Sequence, residues 1–440
     1  MPTGPREDRA RREPTTGMSR RQVLGWGAAF LPATLLWPHA AHGQRVSEAP
    51  LAPPDAIDDL EHRFWKDLLE DFPLEPGERH FDNAETGIPP LQTLDRMTRV
   101  ARDVAAHADA PAREYIEKTR RTAARFWGAD PEEMTFANGA TDAMRRIAEA
   151  LPLGPAAVVA ISDEEPAASV LAWRALERRR RVRIKRFAIH QADRKRLTEP
   201  RRWLDDANVV VVSHVLPTTG ELVPLADVCD EARRRNVWVV ANGSHAAGMV
   251  ALSLHDVGVD AYLASGSGWM LGPLGTALLY VRKDRLPQIA LGHRAVPQNA
   301  GEDLLAGALG VQQAAELELE PPSATLTAGL GMSLEWLAGI GVNTVRDHAA
   351  KLALRIHSGL RGVGGIEILS SPDDIARCPI VTLRITRRPN QQVATWLFDN
   401  LNMRVHRVDT LGLNAVRAST HVVNRPDELD WFVEAMRTLA

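Results

Sequence analysis

Between about residues 95 and 285 the chain alternates two hydrophobic rhythms. Short runs with almost no polar interruption, Ala156–Ser162 (AAVVAIS), Val209–Ser213 (VVVVS) and Val237–Ala241 (VWVVA), read as strands buried on both faces. Amphipathic stretches separate them, such as Pro224–Arg235 with proline in its first turn. Strand, helix and strand with short joins predict a parallel βαβ unit. Tyr262–Ala264 and Thr276–Val281 add two more strands, so this region is expected to be a three-layer α/β domain. Near Ala324 the rhythm changes. Thr325–Ile340 and Thr344–Leu360 read as long helices, and Pro379–Ile385, Met403–Val408 and Leu413–Ser419 read as strands. Pro426–Leu439 closes the chain as a helix, with Asn424 as its expected cap. That part is expected to be a smaller α+β domain. Helical patterning also starts near Ile57 and runs through Phe64–Leu69.

The N-terminus has a different character. Ser19-Arg20-Arg21-Gln22-Val23-Leu24 precedes an apolar stretch from Gly25 to Trp37, followed by Ala41-His42-Gly43. This order predicts a twin-arginine export signal cleaved before Gln44, hence a periplasmic protein exported after folding. Pro32 and the shortness of the apolar run argue against a spanning helix, so no membrane span is expected in the mature form. The expected organisation is a signal at 1–43, a Pro- and Ala-rich linker at 44–57 and an N-terminal segment at 58–95. A large domain at 96–322 and a small domain at 323–440 follow.

Composition narrows the function. The 440 residues are 45% hydrophobic, enough for two cores, and the formal net charge of −3 argues against nucleic-acid binding. Residues 1–43 hold six Arg and three acidic residues, so the mature chain falls to −6. Cys229 and Cys378 lie far apart in apolar stretches, which predicts two buried thiols and no disulfide framework. Lysine is scarce: Lys66, Lys118, Lys185, Lys195, Lys283 and Lys351 are the full set.

Four short stretches carry candidate chemistry. Phe136-Ala137-Asn138-Gly139-Ala140-Thr141-Asp142 leads into a helix, where free N–H groups and the dipole favour an anion; an ordinary N-cap has the same residues. Asn242-Gly243-Ser244-His245 leaves the carboxyl end of a parallel strand, the edge where ligands of open α/β sheets sit. Ser265-Gly266-Ser267-Gly268-Trp269 is followed by Gly272-Pro273-Leu274-Gly275, and Arg417-Ala418-Ser419 places an arginine on a strand. A guanidinium there can bind a carboxylate through two parallel hydrogen bonds, or pair at the surface.

In order and spacing these stretches resemble the class V aminotransferase family of fold-type I pyridoxal-phosphate proteins. Its branches include isopenicillin N epimerase-like proteins and cysteine desulfurases, and the resemblance spans roughly residues 60–440. It implies a three-layer PLP-transferase large domain and a smaller α+β C-terminal domain. The family's DGAH or DGAQ, S-x-H-K-W and G-P-x-G frame reads here as NGSH, SGSGW and GPLG, with 26 positions from Asn242 to Gly268. Ser213-His214-Val215 with Thr219-Gly220 matches the SHV…TG element. By this resemblance Gly139, Ala140, Thr141 and Ser265 match the phosphate site, and Ser323 stands for a Thr that a neighbouring subunit contributes. Arg417 matches the arginine that holds a substrate carboxylate.

The departures fall on the reacting atoms. Gly268 aligns with the Schiff-base lysine, Asn242 with the aspartate that pairs with the pyridine nitrogen, and Ser267 with the preceding histidine. Pro166, after Asp163-Glu164-Glu165, stands where the ring-stacking residue is expected. Without an amine, covalent binding of pyridoxal phosphate is not expected, and the site can be without cofactor. Two readings follow. One is a repurposed scaffold that binds a small anionic ligand, carboxylate or phosphate, or a partner. The other is an enzyme that holds pyridoxal phosphate or pyridoxamine phosphate noncovalently and uses His245 or His214 as base, since histidine titrates in the useful range. A metal site built from His214, His245 and His421 lacks any ligand spacing that would support it. The family implies a homodimer, and loss of the lysine raises a heterodimer with an active paralogue.

Overall fold

The Val-rich runs form strands buried on both faces because helices cover each side of the sheet. In the computed structural model, residues 59–107, 110–189, 201–289, 311–318 and 320–440 are described. The expected signal at 1–43 and linker at 44–57 lie outside these residues, as does Lys195. The large sheet contains β1 (Met134–Ala137), β2 (Val158–Ser162), β3 (Arg183–Phe187), β4 (Val209–Ser213), β5 (Trp238–Asn242), β6 (Ala261–Ser265) and β7 (Ala277–Val281), in the order β1-β7-β6-β5-β4-β2-β3. Strands β6, β5, β4, β2 and β3 are parallel to their neighbours, while β7 runs antiparallel between β6 and β1. One side of the sheet packs under Trp127, Tyr262 and Leu334, the other under Met144, Ile147 and Trp173.

Four strands, β2, β5, β6 and β7, are placed within a residue or two of their pattern, and β4 matches residue for residue. β3 was not anticipated, because Arg183-Ile184-Lys185-Arg186-Phe187 is an edge strand whose charges face solvent and mask its alternation.

A second sheet contains β8 (Ile366–Ile368), β9 (Ile380–Ile385), β10 (His406–Val408) and β11 (Ala415–Ser419), ordered β10-β11-β9-β8 and antiparallel throughout. The helices Val342–Leu360 and Pro426–Leu439 pack on it around Phe81, Phe432 and Met436. Two expectations need correction here. Met403–Val408 is not one strand. Met403–Arg404 pairs in parallel with Arg79–His80, and only His406–Val408 joins the four-stranded sheet. Asn424 is not the cap of the last helix, since Arg425 occupies that position. The Asn424 amide donates to the His80 carbonyl (2.8 Å), and its oxygen accepts from Asn83 (3.0 Å) and from the His421 N–H (2.9 Å). These bonds tie residues 80–83 to the small sheet.

The helix Ala110–Trp127 is clamped to β1 by a buried charge pair. Arg120 meets Glu318 through two nearly parallel hydrogen bonds of 2.9 and 3.1 Å. Glu318 also accepts from the Phe136 N–H (2.9 Å) and the Thr135 hydroxyl (3.1 Å). Removing one partner leaves the other charged and dry. Glu318→Ala is expected to lower stability by about 3–5 kcal/mol in a urea titration, against well under 1 kcal/mol for the exposed pair partner Asp430→Ala.

Candidate functional site

The chemistry-bearing residues gather where the parallel strands end. Ala137, Ala277 and Ser265 form one cross-strand row, and Asn242 and Ser213 form the next pair along the sheet. Strands stand about 4.8 Å apart, so the end of β1 and Ser265 are about 10 Å from each other. Ser265 therefore faces the start of the Ala140–Ala150 helix across one strand. Gly139 caps that helix with φ 144° and ψ 165°, a conformation that strongly favours glycine, and a Cβ there would meet nothing within 4 Å. Thr141 is exposed on the first turn. Asp142 turns back to accept the Asn138 N–H (3.1 Å) and pairs with Arg145 (2.8 Å) and Arg146 (2.7 Å). Burial works against its charge, but the Asn138 N–H and the two arginines outweigh it and hold the carboxyl below its ordinary range.

Behind this edge lies a run of polar side chains. The Ser265 N–H donates to the Ser244 hydroxyl (3.2 Å), and the Ser265 and Ser267 hydroxyls lie 2.9 Å apart. The Asn242 amide oxygen accepts the Ser244 N–H (3.1 Å), and Asn242 stands near Glu165, where it favours the charged carboxyl. Glu165 accepts from the Ser213 hydroxyl (2.6 Å). Its neighbour Glu164 is fully buried and accepts from the Thr218 hydroxyl. Burial pushes both carboxyls up to about 7, against the pull of these donors.

Gly268 sits in a turn with φ +69°. A Cβ at this position would lie 2.7 Å from the Ala84 carbonyl oxygen, and a Cβ on Gly87 would lie 2.1 Å from the Gly268 carbonyl oxygen. The two glycines let the turn at 83–87 and the turn at 267–271 lie backbone against backbone. Asn83 locks the first turn in place by donating to the carbonyls of Ser419 (2.8 Å) and His80 (3.0 Å), and the Ala84 N–H donates to the Ser419 hydroxyl (3.0 Å).

Arg417 and Ser419 are two apart on β11, so both point to the same side, toward that turn. The Arg417 side chain is 1% exposed. One terminal nitrogen donates to the Pro217 carbonyl (2.7 Å) and lies 3.1 Å from His245 Nε2; the other donates to Glu85 (2.6 Å) and lies 3.8 Å from Asp82. His245 Nε2 is also 3.2 Å from Glu85, and His406 stands beside Asp82 (3.5 Å) and Glu85 (3.9 Å). Burial opposes ionisation of Glu85, but the His245 hydrogen bond and the surrounding His245, Arg417 and His406 hold its carboxyl far below the usual range. His245 is pushed down from its ordinary value by burial, opposed by Glu85 and reinforced by Arg417. The carboxylate expected on Arg417 from a ligand is thus supplied by the chain itself.

The remaining expected residues disperse. His214 is buried, its Nδ1 3.0 Å from the Tyr262 hydroxyl, and burial pushes it down to about 4. His421 stacks on Trp269, so the three histidines raised as metal ligands have three separate partners. Ser323 caps the Ala324–Ile340 helix by accepting the Leu326 N–H. Cys229 and Cys378 are free and buried, and burial pushes the Cys378 thiol up to about 12. Sequence reasoning missed Asp82, Asn83, Glu85 and His406, because a polar turn has no period. Glu164 and Glu165 were noted only as flanking residues of the ring-stacking position.

The doubly wound sheet with its strand-end site defines the class of protein. Residues 79–432 match the family described as aminotransferase class-V, and the chain belongs to that family. It is 26% identical over 400 residues to an isopenicillin N epimerase of Amycolatopsis lactamdurans, covering 86% of this chain and 98% of that one. It is 24% identical to a cysteine desulfurase of Haloferax volcanii, covering 81% and 88%. Among solved structures it resembles the apo cysteine desulfurase of Thermococcus onnurineus NA1, with a TM-score of 0.75, 21% identity and coverage of 85% and 97%. C-DES, solved as a mutant with glycine covalently linked to its PLP cofactor, aligns with a TM-score of 0.74 at 18% identity over 84% and 98%.

The two buried carboxyls set a pH dependence. Their folded values near 7 lie above the reference of 4.5, so folding takes up protons between those limits. Their contribution to stability is full below about 4.5 and is lost as pH rises through about 7. Urea titrations should show stability falling by on the order of 5 kcal/mol between pH 5 and 8, with a flatter profile in a Glu164→Gln/Glu165→Gln variant.

Proposed function

We propose that this protein is an exported class V aminotransferase-fold protein without lysine-dependent chemistry, whose cleft binds a small anionic ligand at the start of the Ala140–Ala150 helix. The observation that carries the reading is the closure at Gly268. The position aligned with the family's lysine is a left-handed glycine with the Ala84 carbonyl where a side chain would begin. A lost side chain alone leaves a space; here backbone from another turn fills it.

Pyridoxal phosphate, the cofactor of the family, fits this chain at one end only. The phosphate end keeps Gly139, Ala140, Thr141 and Ser265, with free helix N–H groups and hydroxyls suited to an oxyanion. Among the described residues the carbonyl end has no amine. Lys283 follows β7 at the Val281–Ala261 end of the sheet, opposite the Ala277–Ser265 end that faces the cleft. The ring-nitrogen end has Asn242, a neutral amide whose oxygen already accepts the Ser244 N–H. A covalently held cofactor does not fit these residues.

The weaker reading is an aminotransferase-, epimerase- or lyase-type enzyme that holds the cofactor noncovalently and uses a histidine base. A carboxylate–histidine pair does exist, Glu85 with His245. However, His245 Nε2 faces both an Arg417 N–H and Glu85, so its lone pair is either accepting from arginine or protonated toward the carboxylate. His214 is committed to Tyr262. The twin-arginine pair and apolar run support a periplasmic location, and the family supports a homodimer or a heterodimer with an active paralogue.

Thermal melts of the mature protein with inorganic phosphate, pyridoxal phosphate and pyridoxamine phosphate test the reading. All three should stabilise alike, by about 2.7 kcal/mol at a hundredfold excess over the dissociation constant, with no borohydride-fixed adduct. Stabilisation by pyridoxal phosphate far beyond phosphate would overturn it. Gly268→Lys is expected to cost roughly 2 kcal/mol or more, from the left-handed backbone and the Ala84 contact, and to leave the protein colourless with pyridoxal phosphate.

A further inference from the structure

We infer that Glu85 is a built-in carboxylate that occupies the Arg417 fork and bars carboxylate ligands from it, restricting the cleft to phosphorylated ligands without a free carboxylate. The inference rests on the reading above for the anion at the helix start, and adds what the other end of the cleft selects.

Three features carry it. First, both terminal nitrogens of Arg417 are occupied, one by the Pro217 carbonyl at 2.7 Å and the other by Glu85 at 2.6 Å. A ligand carboxylate needs two N–H groups of one edge of the fork, and one of the two terminal nitrogens already holds Glu85. Among the described residues the Nε of Arg417 has no hydrogen-bond partner, but a two-point contact that uses it must share the terminal nitrogen that already holds Glu85.

Second, Glu85 is a cover rather than a core group. Its side chain is 38% exposed while that of Arg417 is 1% exposed, so the carboxylate lies between the guanidinium and solvent. A tethered carboxylate also competes at high effective concentration against a free one. Third, the local charge repels a second carboxylate. Asp82 stands 3.8 Å from the same Arg417 nitrogen, so an incoming carboxylate meets two fixed negative charges beside one positive one. The turn that carries Asp82 and Glu85 is held by Asn83 and Ser419, so this arrangement is built into the fold.

The test measures anion binding by calorimetry and thermal melts in wild type, Glu85→Gln, Glu85→Ala and a Glu85→Ala/Arg417→Met double variant. The probes are sodium acetate, L-alanine and inorganic phosphate, with sodium chloride as the ionic-strength control. In wild type, acetate and L-alanine should act no differently from chloride. In Glu85→Ala they should bind saturably and about tenfold or more tighter than in wild type, and the double variant should lose that gain. Glu85→Gln keeps the size of the side chain and removes its charge; it should show the same change in weaker form, and it carries the test if Glu85→Ala does not fold. Wild type that binds acetate as tightly as Glu85→Ala overturns the inference. So does a Glu85→Ala variant that folds and gains no carboxylate binding. The phosphate response separates this from the reading above: if it is absent in every variant, the anion site at the helix start has failed, whatever acetate does.

Discussion

A guanidinium with almost no contact with water must be neutralised by fixed partners, and that constraint organises the site. Arg417 reaches inward from the middle of β11, between a small sheet and the strand ends of a large one. Its partners come from three separate stretches: Pro217 after β4, His245 after β5, and the turn that holds Asp82 and Glu85, with His406 of β10 beside that turn. Stretches hundreds of residues apart are thereby drawn to one charge. Burial and the arginine push the neighbouring histidine down from its ordinary value, and the arginine helps hold the glutamate ionised.

The same turn that neutralises Arg417 also closes over Gly268. These are two consequences of one placement. Ser419 and Asn83 fix the turn, Glu85 leaves it toward Arg417, and the Ala84 carbonyl is left against Gly268. Glycine at 268 and glycine at 87 are what allow the approach, since a side chain at either would overlap the other's backbone region. The close approach at Gly268 and the Glu85–Arg417 pair therefore belong to a single surface. Family membership sets the scaffold, and a chain can keep a scaffold while its reacting residues change.

Much of the fold was legible because its strands are continuous apolar runs. β4 is four valines and a serine buried on every side, and no helix periodicity competes with it. β3 was illegible because an edge strand needs apolar side chains on one face at most. The break at Val405 was hidden because both halves of Met403–Val408 are extended and differ only in which strand they pair with. In the site, the glycine start of the Ala140–Ala150 helix and the strand-end position of Asn242 could be read from local order. The nearness of Glu165 to Asn242 could not, since Glu165 comes from a separate loop after β2.

By itself the sequence determined which residues are present at each motif position: glycine at 268, asparagine at 242, proline at 166 and arginine at 417. These follow from covalent order, and no folding is needed to establish them. Only the tertiary structure decided what fills the places they leave. Glu85 lies 332 residues from Arg417, in a short polar turn without a period, and nothing local connects the two. Their meeting depends on the small sheet folding back onto the N-terminal segment, where burial of one charge makes the nearness of another a requirement.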